Sequence, residues 1–195
     1  ASARLWGDFN DIEIELLNSP ARPIVLARKT ERCRNAFIHV ADDLNEIGLM
    51  TAYTPVHLLL FHALAGLPSD PRWLDAASED ALVMTSANPS GEPLVIHTKE
   101  ACERLNGIAD AILTHDREIV CRCDDSVVRV VDGAARLVRR ARGYTPLAVK
   151  THCDMTGIAA TGASLKATAA LGRGQEVFVT AHIGDTKNAR SGRAT

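Results

Sequence analysis

Hydrophobic and polar positions fall into short blocks separated by Pro and Gly. Residues 11–17 alternate acidic and apolar side chains, which suits a short helix or a strand equally. Residues 19–23 (Ser-Pro-Ala-Arg-Pro) break the chain, and the apolar, β-branched residues 24–27 after them predict a buried strand. Residues 42–48 are polar and loop-like. Thr54 is placed to cap a helix that begins with Pro55, and apolar residues at 56, 59, 60, 63, 64 and 67 keep helical spacing until Gly66 and Pro68. Residues 68–80 form a polar connection, and 81–84 (Ala-Leu-Val-Met) predict a second buried strand. Residues 98–105 predict a capped helix with Ala101, Leu105 and Ile108 on one side, and 111–113 a third strand. Residues 127–131 predict a fourth strand, paired with 136–139 across the hairpin signal Asp132-Gly133. Strands interleaved with helices argue an α/β fold. After Pro146, residues 158–162, 168–171 and 176–180 read as three strands with a tight turn at 172–174, opening a further domain.

Composition narrows the class. The chain has 195 residues, 46% hydrophobic and 24% charged, with a mean hydropathy of −0.02, as in ordinary globular proteins. A net charge of −2 disfavours a global attraction to nucleic acid, and 4% aromatics are too few for a base-stacking face. The longest apolar run, residues 56–67, is interrupted by His57 and His62 and falls short of the ~18 residues of a membrane span. No membrane association and no secretion leader are expected. Five scattered cysteines argue against a disulfide framework and for a reducing, cytoplasmic setting. The Ala1 start and the 188–195 tail suggest a piece of a longer protein.

Three stretches carry candidate chemistry. In residues 84–93, alternation along an extended segment would turn Ser86 and Asn88 to one side at the end of a buried strand, where open α/β sheets bind ligands. A hydroxyl and an amide there suit phosphate, ribose or carboxylate. Gly91 permits close approach, and Pro89 and Pro93 restrict the loop. A plain polar turn is the competing reading. Before the fourth strand, Ser126 suits phosphate, while Asp124 and Asp125 could hold a metal or solvate a turn. Cys121-x-Cys123 lacks zinc spacing, so both are expected to pack. Arg136, Arg139, Arg140 and Arg142 form a third stretch, open to three readings. They suit a phosphate or carboxylate site, a charged edge strand, or contact with an RNA backbone. His57 and His62, five apart, fall on different helix faces and make no metal pair; one should be packed and the other exposed. His182 lies near Asp185, but spacing alone does not make it catalytic. Lys166 and Gly172-x-Gly174 complete no phosphate loop.

Several motifs in one order resemble a known family. They are Ser19-Pro20-Ala21-Arg22-Pro23-Ile24-Val25, Tyr53-Thr54-Pro55, Thr85-Ser86-Ala87-Asn88-x-Ser90-Gly91-Glu92-Pro93, Cys123-Asp124-Asp125-Ser126-Val127-Val128 and Arg139-Arg140-Ala141-Arg142-Gly143-Tyr144. The run resembles the YrdC-like domain of HypF-type carbamoyltransferases, which mature nickel–iron hydrogenases. Gly162-x-x-Leu165-Lys166-x-Thr168 and His182-Ile183-Gly184-Asp185 resemble the opening of that family's actin-like transfer domain. The resemblance implies a twisted mixed α/β sheet with flanking helices over 19–153, an incomplete lead-in over 1–18, and the truncated, β-rich start of the actin-like domain over 154–195.

It also implies chemistry. Such enzymes use carbamoyl phosphate and ATP with Mg2+, form a carbamoyl-adenylate, and pass the carbamoyl group to a cysteine thiol of a hydrogenase-maturation partner, where it later becomes a cyanide ligand. By position, Ser86 and Asn88 are the signature Ser-x-Asn pair. Ser126 and Arg139 or Arg140, with Arg142 beside them, complete the nucleotide and carbamate site. The family's Lys-x-Arg element and zinc fingers would lie upstream, so zinc is expected only outside this chain. The His-rich metal ligands expected after His182 are absent here. Ala167 and Ala181 stand where the family would carry Asn and Gln. A threonylcarbamoyl-AMP synthase for tRNA modification and a double-stranded RNA-binding module are the alternatives.

Overall fold

The computed structural model describes residues 2–90, 92–120, 122–162 and 167–181. Gly91, Cys121, Lys166 and the 182–185 motif lie outside the described residues. The chain divides into two compact units, Ala1–Val83 with Asp125–Arg139, and Met84–Asp124 with Arg140–Thr195.

The first unit contains β1 (Gly7–Asp8), α1 (Asp11–Asn18), β2 (Ile24–Lys29), α2 (Glu31–Ala36), β3 (Glu46–Leu49), α3 (Pro55–Leu64) and, from the later segment, the hairpin strands Val127–Val131 and Ala134–Arg139. Among its described residues, the second unit contains α4 (Thr98–Arg104) and four short strands. In chain order the hairpin strands are β4 and β5, and the later ones are β6 (Val149–Lys150), β7 (Ala159–Thr161), β8 (Ala169–Arg173) and β9 (Glu176–Val179).

β2 organises the first unit. Val25, Ala27 and Lys29 are buried while Ile24, Leu26 and Arg28 are not, the period of a half-covered strand. Its ladder uses both edges. β3 pairs antiparallel along residues 25–28, so β1, opposite Arg28 and Lys29, and β4, parallel opposite Ile24 and Val25, share the other edge. Leu17 of α1 packs with Phe9 on Val25 and Ala27. Cys33 of α2 packs with Trp6 and Ile47. Phe37 meets the Trp6 ring edge-on at 4.8 Å.

Local chemistry sets several boundaries. Residues 11–17 fold as a helix because Asn10 and Glu13 form a capping box, each side chain accepting from the other's backbone N–H at 2.9 Å. Thr54 caps α3 by accepting from His57 N at 3.3 Å, with Pro55 at the first helical position. Asp132 and Gly133 have φ of 50° and 71°, the left-handed pair that a two-residue hairpin loop demands. The buried Lys29 donates from Nζ to Val40 O at 2.9 Å and Ala41 O at 2.5 Å, which ties the 37–45 connection to the sheet.

Other expectations are corrected. Residues 81–84 and 111–113 are not strands; Val83, Met84 and Leu113 are largely exposed. An apolar run becomes a strand only beside an edge that accepts its hydrogen bonds, and neither segment has one among the described residues. Conversely, the polar 42–48 stretch ends in β3, because the free edge of β2 recruits it and Ile47 is buried. α4 has the expected position, but His97 at its N-terminus makes no side-chain cap. α3 forms as expected, yet Val56, Leu59, Leu60 and Leu64 remain exposed. His57 and His62 are both half-buried rather than divided between inside and outside. His57 meets Tyr53 edge-on, and His62 Nε2 sits 2.8 Å from Pro68 O. The β-rich tail is as expected, an antiparallel sheet in the order β6-β9-β8-β7, with the additional strand β6.

Leu17 is 2% exposed, and Val83 is 64% exposed. Leu17→Ala is therefore expected to cost about 2–5 kcal/mol, whereas Val83→Ala should stay within about 0.5 kcal/mol. Chemical denaturation of the two variants checks the contrast.

Candidate functional site

The segment carrying Ser86 and Asn88 is a looped turn. Asn88 N donates to Ser86 O at 3.0 Å, which folds the backbone tightly around Ala87. The alternation that would have turned Ser86 and Asn88 to one side needs an extended strand, so it does not apply here. Val95 N donates to Ala87 O at 2.9 Å and Glu92 N to Pro89 O at 3.1 Å, closing the loop on itself. Ser86 is exposed and Asn88 half-buried.

Asn88 organises this loop. Its Nδ2 donates to Pro89 O and to Glu92 O, both at 2.9 Å. Both partners are carbonyl oxygens, which fixes the orientation of the amide. Asn88 Oδ1 is buried and accepts no hydrogen bond. Any hydrogen bond that the Asn88 side chain makes with a ligand while its loop bonds persist must therefore use Oδ1, an acceptor.

α4 secures the far end of the loop. Arg104 donates from Nη2 to Glu92 Oε2 at 2.5 Å and to Pro93 O at 3.4 Å, and from Nη1 to Glu100 Oε1. Its side chain is 9% exposed. Burial disfavours the charge on Arg104, but its hydrogen bonds to the Glu100 and Glu92 carboxylates outweigh that and hold the guanidinium above its usual pKa. Arg122 Nε donates to Leu94 O at 2.8 Å on the next residue of the loop. Sequence reasoning misses Arg104, although the Glu100-x-x-x-Arg104 spacing places that pair on one helix face.

The remaining predicted residues divide between the units. In the first unit, Ser126 is fully buried, and its backbone carbonyl accepts from Ile24 N at 2.8 Å. Arg139 lies at an irregularity of the β4–β5 ladder. Val128 pairs with Leu137, but Val127 pairs with Arg139, leaving Val138 as an extra residue. This bulge puts Arg139 on the face of Val127 rather than that of Val128, and Arg139 Nε donates to Asp125 O at 2.7 Å. Arg136 is exposed and sits opposite Arg129. In the second unit, with Ser86 and Asn88, Arg140 Nη2 donates to Leu147 O at 2.5 Å while its Nε is buried without a partner. Arg142 is half-buried, and its backbone N donates to Asp124 O at 3.0 Å. Burial lifts the Tyr144 phenol above its usual pKa, with the charge of Arg140 acting in the opposite direction.

Cys123 is exposed, so the expectation that it packs is corrected; among the described cysteines, Cys33 is buried. Among the described residues, no group of three or more His, Cys, Asp or Glu side chains is placed to hold a metal ion. Among them too, no helix is long and apolar enough to cross a membrane. A separate cleft of about 400 Å³ in the first unit is lined by Asp8, Glu13, Arg28, Glu46 and Arg129 among others, and by none of the predicted site residues.

With this geometry in place, comparison with known proteins identifies the lineage. The Sua5-YciO-YrdC family model, described as telomere recombination, matches residues 2–141, and the HypF Kae1-like domain model matches 154–195. The chain belongs to the Sua5-YciO-YrdC family and continues into a HypF-type C-terminal segment. It is 50% identical over 193 residues to carbamoyltransferase HypF2 of Cupriavidus necator, covering 97% of this chain and 24% of that protein. It is 37% identical over 183 residues to the probable carbamoyltransferase HypF of Methanocaldococcus jannaschii, covering 93% of this chain and 22% of that protein. Among solved structures, full-length HypF in its phosphate- and nucleotide-bound form superposes with a TM-score of 0.78 at 33% identity, covering 98% of this chain and 28% of that one. HypF of T. kodakarensis gives 0.80 at 32% identity, covering 98% and 23%. The chain thus spans about a quarter of the length of these relatives.

Burial raises the pKa of the Cys33 thiol, with Lys29 and Arg34 pulling it down more weakly. The folded chain therefore holds this proton more tightly than the unfolded chain. The resulting stability difference is absent below the ordinary thiol pKa of about 8.5 and grows as a penalty on folding above it. Wild type should lose stability between about pH 8.5 and 10 faster than Cys33→Ser, as measured by urea midpoints across that range. Native alkylation should label Cys102, Cys123 and Cys153 while sparing Cys33.

Proposed function

We propose that this chain is the carbamoyl-activating segment of a carbamoyltransferase for nickel–iron hydrogenase maturation. The supporting observation is joint. One chain carries the YrdC-type match and the HypF Kae1-like match in order, and proteins named carbamoyltransferase HypF align with nearly all of it at 37–50% identity. One of the similar solved structures is HypF in a phosphate- and nucleotide-bound form, which agrees with a nucleotide substrate.

In this reading the substrates are ATP, carried as its Mg2+ complex, and a carbamate formed when water cleaves the acyl–phosphate linkage of carbamoyl phosphate and inorganic phosphate leaves. A carbamate oxygen attacks the α-phosphorus, the bond to the β-phosphate oxygen breaks, and pyrophosphate leaves with that electron pair. Arg139 or Arg140 supplies the guanidinium that offsets charge on the α-phosphate in the transition state, and Arg142 is assigned to phosphate binding. Ser86 and Asn88 are assigned to orienting the carbamate and Ser126 to binding the nucleotide, as the family resemblance implies. With its N–H groups held by its own loop, Asn88 would accept from the carbamoyl amino group. The carbamoyl-adenylate then gives its acyl group to a cysteine thiolate of a partner protein in the cytoplasm and releases AMP.

The test is pyrophosphate release by the full-length protein that carries this chain, with ATP and Mg2+. Release that requires carbamoyl phosphate is expected. Release that requires threonine and bicarbonate instead would assign the chain to threonylcarbamoyl-adenylate synthesis. Salt-sensitive binding of double-stranded RNA without turnover would make it a binding module. Arg139→Met and Arg140→Met, measured separately, should identify the arginine at the α-phosphate by a rate loss of about 100-fold.

A further inference from the structure

We propose that Arg104 is a positioning residue for the reaction, acting through Glu92 to hold the Ser86–Asn88 loop in its working shape. The inference rests on the functional reading above and extends it to a side chain outside the signature motifs. Its basis is a continuous set of bonds within the second unit. Arg104 on α4 grips the Glu92 carboxylate and the Pro93 carbonyl, and the carbonyl of the same Glu92 accepts from Asn88 Nδ2. The second amide hydrogen of Asn88 goes to Pro89 O. One guanidinium therefore fixes the residue whose main chain fixes the carboxamide.

Electrostatics makes this hold selective for arginine. Glu92 and Glu100 both face the Arg104 guanidinium, with side chains 24% and 27% exposed, while Arg104 itself is 9% exposed. Two carboxylates around a shielded position repel each other once the cation is removed. A planar fork bridges both at once, whereas a lysine ammonium is a single point charge and grips only part of the set. Removing Arg104 would take this cation from the Glu92 carboxylate and the Pro93 carbonyl and loosen the loop whose Glu92 carbonyl holds the Asn88 amide. A displacement of about 1 Å at such a loop is enough to cost on the order of 100-fold in rate.

Two measurements on the full-length protein separate the brace from the reaction. Hydrogen–deuterium exchange in peptides over 86–95 is expected to speed up at least fivefold in Arg104→Met and by less in Arg104→Lys, while peptides over α1 and β2 keep their wild-type rates. Carbamoyl-phosphate-dependent pyrophosphate release is expected to lose about 10- to 100-fold in kcat in Arg104→Met, with the KM for ATP within threefold. Glu92→Gln should match that loss, and the double variant should add nothing further, because both changes act through one loop. Unchanged exchange over 86–95, or faster exchange throughout the protein, would overturn the role assigned to Arg104. So would a kcat within twofold of wild type. If wild type itself releases no pyrophosphate with carbamoyl phosphate, the functional reading fails, and the exchange measurement alone decides whether Arg104 holds the loop.

Discussion

The first unit depends on the backbone ladder of β2. A six-residue strand satisfies its amide and carbonyl groups on both edges, antiparallel to β3 on one side and shared between β1 and β4 on the other. That ladder is what permits Val25 and Ala27 to be buried beneath α1, because a buried peptide group without a partner would cost more than the methyl groups return. Lys29 extends the same logic beyond the strand. Its ammonium lies inside but meets two carbonyl oxygens of the connection before β3, so its charge ties down a turn that carries a left-handed alanine.

The second unit contains a different kind of order. The loop after residue 84 is built from side chains acting on backbone carbonyls: Asn88 on Pro89 and Glu92, Arg104 on Pro93, and Arg122 on Leu94. Such a loop can present polar atoms at defined positions without a strand beneath it. The unmatched Asn88 Oδ1 and Arg104 Nε are the costs retained in this arrangement. Each such buried group calls for an explanation, and a ligand that pairs with it is one.

The features legible in the sequence were those set by local chemistry. Thr54 with Pro55, Asp132 with Gly133, and the β-branched start of β2 each determine their own conformation from within a few residues. What was not legible depended on partners distant in sequence. Ala81-Leu82-Val83-Met84 has strand composition but, among the described residues, no neighbouring edge, while Glu46-Ile47-Gly48-Leu49 has little strand composition and an edge waiting for it. Ser86 and Asn88 stand out in the sequence as a pair. Their turn geometry, however, arises from bonds to residues 92 and 95, and Arg104 lies twelve positions beyond Glu92. The motif order revealed the family, whereas the way its loop is held requires coordinates.

Val138, the surplus residue in the β4–β5 ladder, sets the parity of everything that follows it in that strand. With it, Arg139 shares a surface with Arg129, Leu26 and Arg28; without it, the same guanidinium would be carried round to the surface that α1 packs against. One residue with no chemistry of its own thus decides whether a cation faces the open side of the sheet or its core.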